Sequence, residues 1–140
     1  MSPRRSPRAS ASPSSVPELV KRDVTARATE LLSRKFMIHP ENQAEARRLG
    51  FNYVTSVFGE WRGRSYYLCA KYRTSRGDPE ADFVVRTTRM TYTALGRFDL
   101  AYFRHTNRWQ LVYPALTVAE CFEAVEEEEI LWPITKLGSS

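Results

Sequence analysis

Cysteine is scarce in this sequence, and the two present, Cys69 and Cys121, stand far apart in apolar surroundings with no CxxC or other ligand spacing. Neither a disulfide framework nor a zinc site organises the chain, and a reducing cytoplasm is the expected compartment. Histidine is equally rare: His39 lies in a linker before Pro40, and His105 lies in a polar turn beside Thr106. Nucleophilic catalysis needs a nucleophile with a positioned base, and neither histidine supplies one. The six glycines are scattered through turns, so there is no phosphate-cradling loop. No apolar run approaches a membrane span, and the first residues lack the hydrophobic core of a signal peptide, so no membrane association is expected. The chain also lacks an internal repeat, an RNP-type motif and a KH-type loop. Nothing in it calls for a cofactor.

What is present is a basic, aromatic-rich chain of 140 residues, long enough for one domain with one core. Charge is polarised along it. Residues 1–16 carry Arg4, Arg5 and Arg8 without an acid, and residues 51–116 carry ten basic against five acidic side chains. Residues 117–140 reverse the sign, with six glutamates against Lys136. Such asymmetry bears on partners rather than on fold.

Residues 1–15 are mostly Ser, Pro, Arg and Ala, a composition that buries too little apolar surface to offset the entropy of ordering. They are expected to be a disordered basic arm, followed by a single domain over 16–134 and a flexible tail over 135–140. Three arginines on a single strand give a salt slope of only about −2, so the arm alone would not hold a nucleic acid.

Helical punctuation starts with Ser15 or Val16 as a cap and Pro17 as the first helical residue, followed by Val20, Val24, Ala28, Leu31, Leu32 and Phe36 at helical spacing. A second, shorter helix is predicted from Pro40 through Leu49, closed by Gly50. The period then becomes two. Phe51 to Phe58 and Ser65 to Tyr72 read as strands joined through GEWRGR, with Gly59 and Gly63 assigned to the turn. After a Gly/Pro/Asp loop (Arg73 to Asp82), three more strands are predicted over Phe83 to Thr93, Arg97 to Arg104 and Trp109 to Tyr113. The middle one carries apolar groups on both faces and is expected to be central and covered on both sides. Thr117 with Glu120 forms a capping box for a last helix with the stripe Val118, Cys121, Phe122 and Val125.

The predicted architecture is therefore α+β: two N-terminal helices, an antiparallel meander of about five strands, and one C-terminal helix packed on the sheet. Helices should cover the face lined by Tyr66, Leu68 and Tyr72. Glu126 to Glu129 sit at the wrong end of a helix dipole, so a cation should offset them.

Two readings of function follow, neither enzymatic. The first is a small accessory protein that binds single-stranded RNA or DNA through a basic aromatic sheet face, with Tyr67, Lys71, Arg73, Arg86, Arg89, Arg104 and Arg108 as its residues. The second is a protein-interaction or homo-oligomerisation module in which Glu126, Glu127, Glu128, Glu129 and Trp132 meet a basic sheet. A metal-dependent nuclease using Asp82 and Asp99 is a weaker alternative, because the strand after Asp82 supplies no second carboxylate. Asp78, Glu80 and Asp82 alternate as in half a calcium loop, but Phe83 and Arg89 occupy the positions that need glycine and glutamate, so no metal site is predicted.

Overall fold

A computed structural model describes residues 15–134. The predicted arm lies almost wholly, and the predicted tail wholly, outside the described residues. In chain order the elements are α1 (Glu18–Lys35), α2 (Pro40–Arg48), β1 (Tyr53–Arg62), β2 (Ser65–Arg73), a 3-10 turn (Pro79–Ala81), β3 (Phe83–Ala94), β4 (Arg97–Phe103), β5 (Trp109–Thr117), α3 (Val118–Glu127) and a second 3-10 turn (Glu129–Leu131). The five strands form one antiparallel sheet in the order β1-β2-β3-β4-β5, a meander. The α+β architecture predicted from periodicity is thus observed.

One face of the sheet forms the core. Tyr66 and Leu68 of β2, Met90 and Tyr92 of β3, and Phe98 and Leu100 of β4 are buried there. They meet Val24, Ala28, Leu31 and Leu32 of α1 and Val118, Cys121, Phe122 and Val125 of α3. Tyr72, expected under the helices, is only half-buried and stacks on Phe83 of the neighbouring strand at 5.5 Å. α2 buries no side chain completely; it packs against β1, where Gln43 Nε2 donates to the Val54 carbonyl at 2.8 Å. No helix among the described residues is long and apolar enough to cross a membrane.

Several boundaries differ from the sequence reading for physical reasons. Pro17 is extended and caps α1 instead of opening it, and its carbonyl accepts from the Lys21 N–H. β1 does not stop at Phe58 but runs through Gly59, Glu60 and Trp61 to Arg62. Gly59 is therefore a strand residue, and its missing side chain has a packing role: a Cβ there would stand 1.9 Å from the Tyr66 hydroxyl. Trp61 holds the extension down, 5.0 Å from the Tyr66 ring and with its indole N–H donating to Thr25 of α1. β4 is fourth in the order, not central, and only its core-side face lies under helices. On the other side Ala101 is 3% exposed but Phe103 is 39% exposed.

Three register shifts share one chemistry. Thr55 of β1, Thr87 of β3 and Thr93 of β3 are each the unpaired residue of a bulge. Each threonine hydroxyl donates to a carbonyl of the partner strand: Thr55 to Lys71, Thr87 to Leu68 and Thr93 to Arg97. A bulge disrupts the ladder locally, and a β-branched side chain with a donor both tolerates strand geometry and restores a bond.

At the C-terminal end, Thr117 and Glu120 form the reciprocal capping box of α3. Arg34 of α1 supplies the expected cation, donating to both Glu126 carboxylate oxygens at 2.9 and 3.2 Å. The pair is solvent-exposed and contributes little to stability. The stronger tether is Thr88, a fully buried polar side chain whose hydroxyl donates to the Leu131 carbonyl and fixes the second 3-10 turn against the sheet. Thr88→Val keeps the shape and strands that carbonyl, so it should lower the unfolding free energy by about 1–3 kcal/mol in urea titrations. Thr88→Ser, which retains the hydroxyl, should lose less.

Candidate functional site

On the sheet face away from α1 and α3, pairing fixes a row running Glu60 (β1), Tyr67 (β2), Arg89 (β3), Ala101 (β4) and Leu111 (β5). The next row along contains Phe58, Cys69 and Arg86. Arg86 and Arg89 are three residues apart and in a regular strand would point to opposite faces. The extra residue at Thr87 brings them to the same face, since Arg86 pairs with Cys69 and Arg89 with Tyr67.

Around these arginines the aromatics interlock. Tyr67 and Phe103 both meet Trp109 edge-on, with ring centroids 5.7 and 5.2 Å away. The Arg89 guanidinium lies 4.8 Å from the Trp109 ring centroid and that of Arg86 lies 5.7 Å from the Tyr67 ring centroid. Both are cation–π contacts. Leu111 is 50% exposed at the rim. Beneath them Cys69 is wholly buried, and burial pushes its thiol up to about 11, so it is not a reactive thiolate. Cys121 is likewise buried, with its thiol pushed up to about 12.

Of the seven residues singled out from the sequence for nucleic acid, the fold brings Tyr67, Lys71, Arg73, Arg86 and Arg89 to this face. They are not equally available. Arg73 makes a two-pronged bond to Asp82, with Nε and Nη2 each 2.9 Å from a carboxylate oxygen, and Lys71 Nζ stands 3.8 Å from the same carboxylate. Arg86 is held by Glu60. Of these four cations, Arg89 alone has no ion-pair partner among the described residues, and its Nε is buried without a hydrogen bond. Arg104 is placed elsewhere: it donates to Gln110, which pairs with Tyr102 on the core side. Arg108 is exposed in the turn before β5.

The second predicted set mostly faces its own chain. Glu126 is bound by Arg34, and Glu128 accepts from the Tyr113 hydroxyl. Trp132 packs edge-on to Phe36 at 5.5 Å with Lys35 Nζ 4.6 Å from its ring centroid. Glu127 and Glu129 remain exposed.

Asp82 and Asp99 do not converge. Asp82 precedes β3 whereas Asp99 pairs opposite Thr91, roughly 25 Å further along that strand at the usual rise. Asp99 Oδ1 accepts from the Ala115 N–H. Among the described residues, no group of three or more His, Cys, Asp or Glu side chains could hold a metal ion.

Sequence reasoning missed Glu60, Phe103 and Trp109. Glu60 was hidden by assigning Gly59 to a turn, although Phe58, Glu60 and Arg62 continue the alternation of β1. Trp109 and Phe103 were visible as strand aromatics, but their meeting depends on the register across the β4–β5 turn.

A family model described as a domain of unknown function (DUF3024) matches residues 16–133. No curated protein and no solved structure matches the chain.

The Asp82 clamp generates a pH prediction. The bonds from Arg73 hold the Asp82 carboxyl below the usual carboxylate range, with Lys71 adding to the effect. A carboxylate whose pKa is depressed on folding contributes stability above its unfolded pKa, near about 3.9, and loses it as pH falls through the folded value. Asp82→Asn should therefore lower the melting temperature at neutral pH, and the gap to wild type should close as the pH is taken below that range. A gap that persists unchanged in acid would mean that the carboxylate charge is not what holds the loop.

Proposed function

Because this chain belongs to the DUF3024 family, whose description names no activity, its own surface has to carry the assignment, and we propose that it is a non-enzymatic accessory protein that binds single-stranded nucleic acid. The observation that carries this reading is the pair of guanidinium groups lying over aromatic rings, Arg89 on Trp109 and Arg86 on Tyr67, on the sheet face turned away from α1 and α3. Unpaired bases stack on aromatic faces and on arginine planes, each contributing about 1–3 kcal/mol, while arginine edges remain for phosphates. A duplex keeps its base faces stacked internally and cannot use such a surface, so single strands are the expected ligand. Two buried free thiols suit a reducing cytoplasm, where we place the protein.

Titrating single-stranded RNA, single-stranded DNA and duplex oligonucleotides at several salt concentrations tests the proposal. Trp109→Ala should weaken single-strand binding by about 5- to 150-fold, the equivalent of one stacked base. Arg89→Lys should also weaken it, because lysine keeps the charge but not the plane. Absence of binding at low salt would overturn the reading, as would a wild-type affinity in both variants.

A second reading, self-association, draws on the exposed apolar groups of the same face, Leu111 and Phe103, together with exposed Glu127 and Glu129. Light scattering decides it: dimers that dissociate in a Leu111→Glu variant would support it, and a strict monomer over the working concentration range would remove it.

A further inference from the structure

On this face Glu60 is the acceptor on which two arginines converge. One carboxylate oxygen, Oε2, accepts from Arg86 Nη2 at 2.9 Å, from Arg86 Nε at 3.2 Å and from Arg62 Nε at 3.0 Å. The two arginines approach it from different strands, Arg62 from the end of β1 and Arg86 from β3 across β2. Three charge-assisted donors converging on one anionic oxygen is the arrangement that arginines make around phosphate. Hydrogen bonds from Arg62 and then Arg86 hold the Glu60 carboxyl below the usual carboxylate range, so it is ionised at neutral pH.

The surroundings make this contact exchangeable. The Glu60 side chain is 30% exposed, and those of Arg86 and Arg62 are 35% and 62% exposed. Water therefore reaches both ion pairs, and pairs of this kind are easily replaced by a competing anion. Glu60 also pairs directly opposite Tyr67, whose ring Arg86 overlies. A phosphate that displaced Glu60 from Arg86 would lie beside the Tyr67 ring.

We infer that Glu60 is a built-in phosphate competitor and the specificity-determining residue of the face. In the free protein it pairs with Arg86 and Arg62, leaving the cluster with one net positive charge, and keeps the Arg86 plane on Tyr67. An isolated anion gains too little from the arginines alone to displace it. A strand whose bases also stack on the face gains enough, so Glu60 selects single-stranded polyanions over free phosphate. This inference rests on the nucleic-acid reading for its ligand, and its physical core, competition between Glu60 and an anion, can be tested apart from it.

The experiment compares wild type with Glu60→Gln, using a single-stranded oligonucleotide of about ten nucleotides, within the usual site size, and inorganic pyrophosphate as the isolated anion. Circular dichroism and thermal melting confirm that the variant is folded. Glu60→Gln should bind the oligonucleotide about three- to tenfold more tightly at low salt. It should also bind pyrophosphate at concentrations where wild type does not. If Glu60→Gln binds both ligands no better than wild type, Glu60 merely positions Arg86 and the inference is overturned. If wild type binds no oligonucleotide at low salt, the reading of the face falls, and the pyrophosphate comparison alone then decides for or against Glu60 as a competitor.

Discussion

The single extra residue at Thr87 is the constraint on which the open face depends. Strand alternation would send Arg86 and Arg89 to opposite sides of β3, one of them toward the helix-covered core. The bulge absorbs one residue between Cys69 and Leu68 of the partner strand and places both arginines on the same side. The hydroxyl of Thr87 donates to the Leu68 carbonyl at the irregularity, so the strand is bent without abandoning that acceptor. Four consecutive residues thus divide the work of the molecule. Arg86 and Arg89 build the exposed surface, Thr87 sets their direction, and Thr88 reaches the other way to hold Leu131 in the core.

The two faces of the sheet differ in what stabilises them. The covered face is held by burial of Phe98, Leu68, Met90 and Leu100 against α1 and α3, a non-directional gain that scales with apolar area. The other face is held by directional contacts. Asp82 gathers Arg73 and Lys71, Glu60 gathers Arg62 and Arg86, and the rings of Tyr67, Phe103 and Trp109 meet edge-on. The Glu60 pairs, partly exposed on both sides, contribute little to stability. A surface arranged around them can exchange partners at small cost to the fold, which suits a binding face better than a structural one.

Much of the fold was legible because period and punctuation agreed. The helical stripe of α1, the capping box at Thr117 and the Leu95-Gly96 turn, where both residues adopt the left-handed conformation, are local signals that tertiary packing did not override. Gly59 illustrates the opposite case. Its residue type suggests a turn, but the Tyr66 ring on the adjacent strand needs the space a Cβ would fill, and that requirement is non-local. Of the site, the arginines were legible as a cluster in composition. Arg104 could not be sorted from the others because its direction depends on Gln110 across a turn. Glu60 and Trp109 entered only through register, which is shifted in every strand pair, twice in the β4–β5 pair that carries Trp109.

Arg89 is the residue whose geometry ties the far strands of the open face together. Its guanidinium belongs to β3 yet lies against Trp109 of β5, two strands away, so it must cross β4. The residue paired with it on β4 is Ala101, small and 3% exposed, and any larger side chain there would block the crossing. The crossing leaves Nε buried without a hydrogen bond, while the guanidinium gains the cation–π contact with Trp109. An apolar residue at position 89 would cover Trp109 without stranding a donor. The arrangement therefore leaves a guanidinium without an ion-pair partner among the described residues at the centre of an aromatic surface.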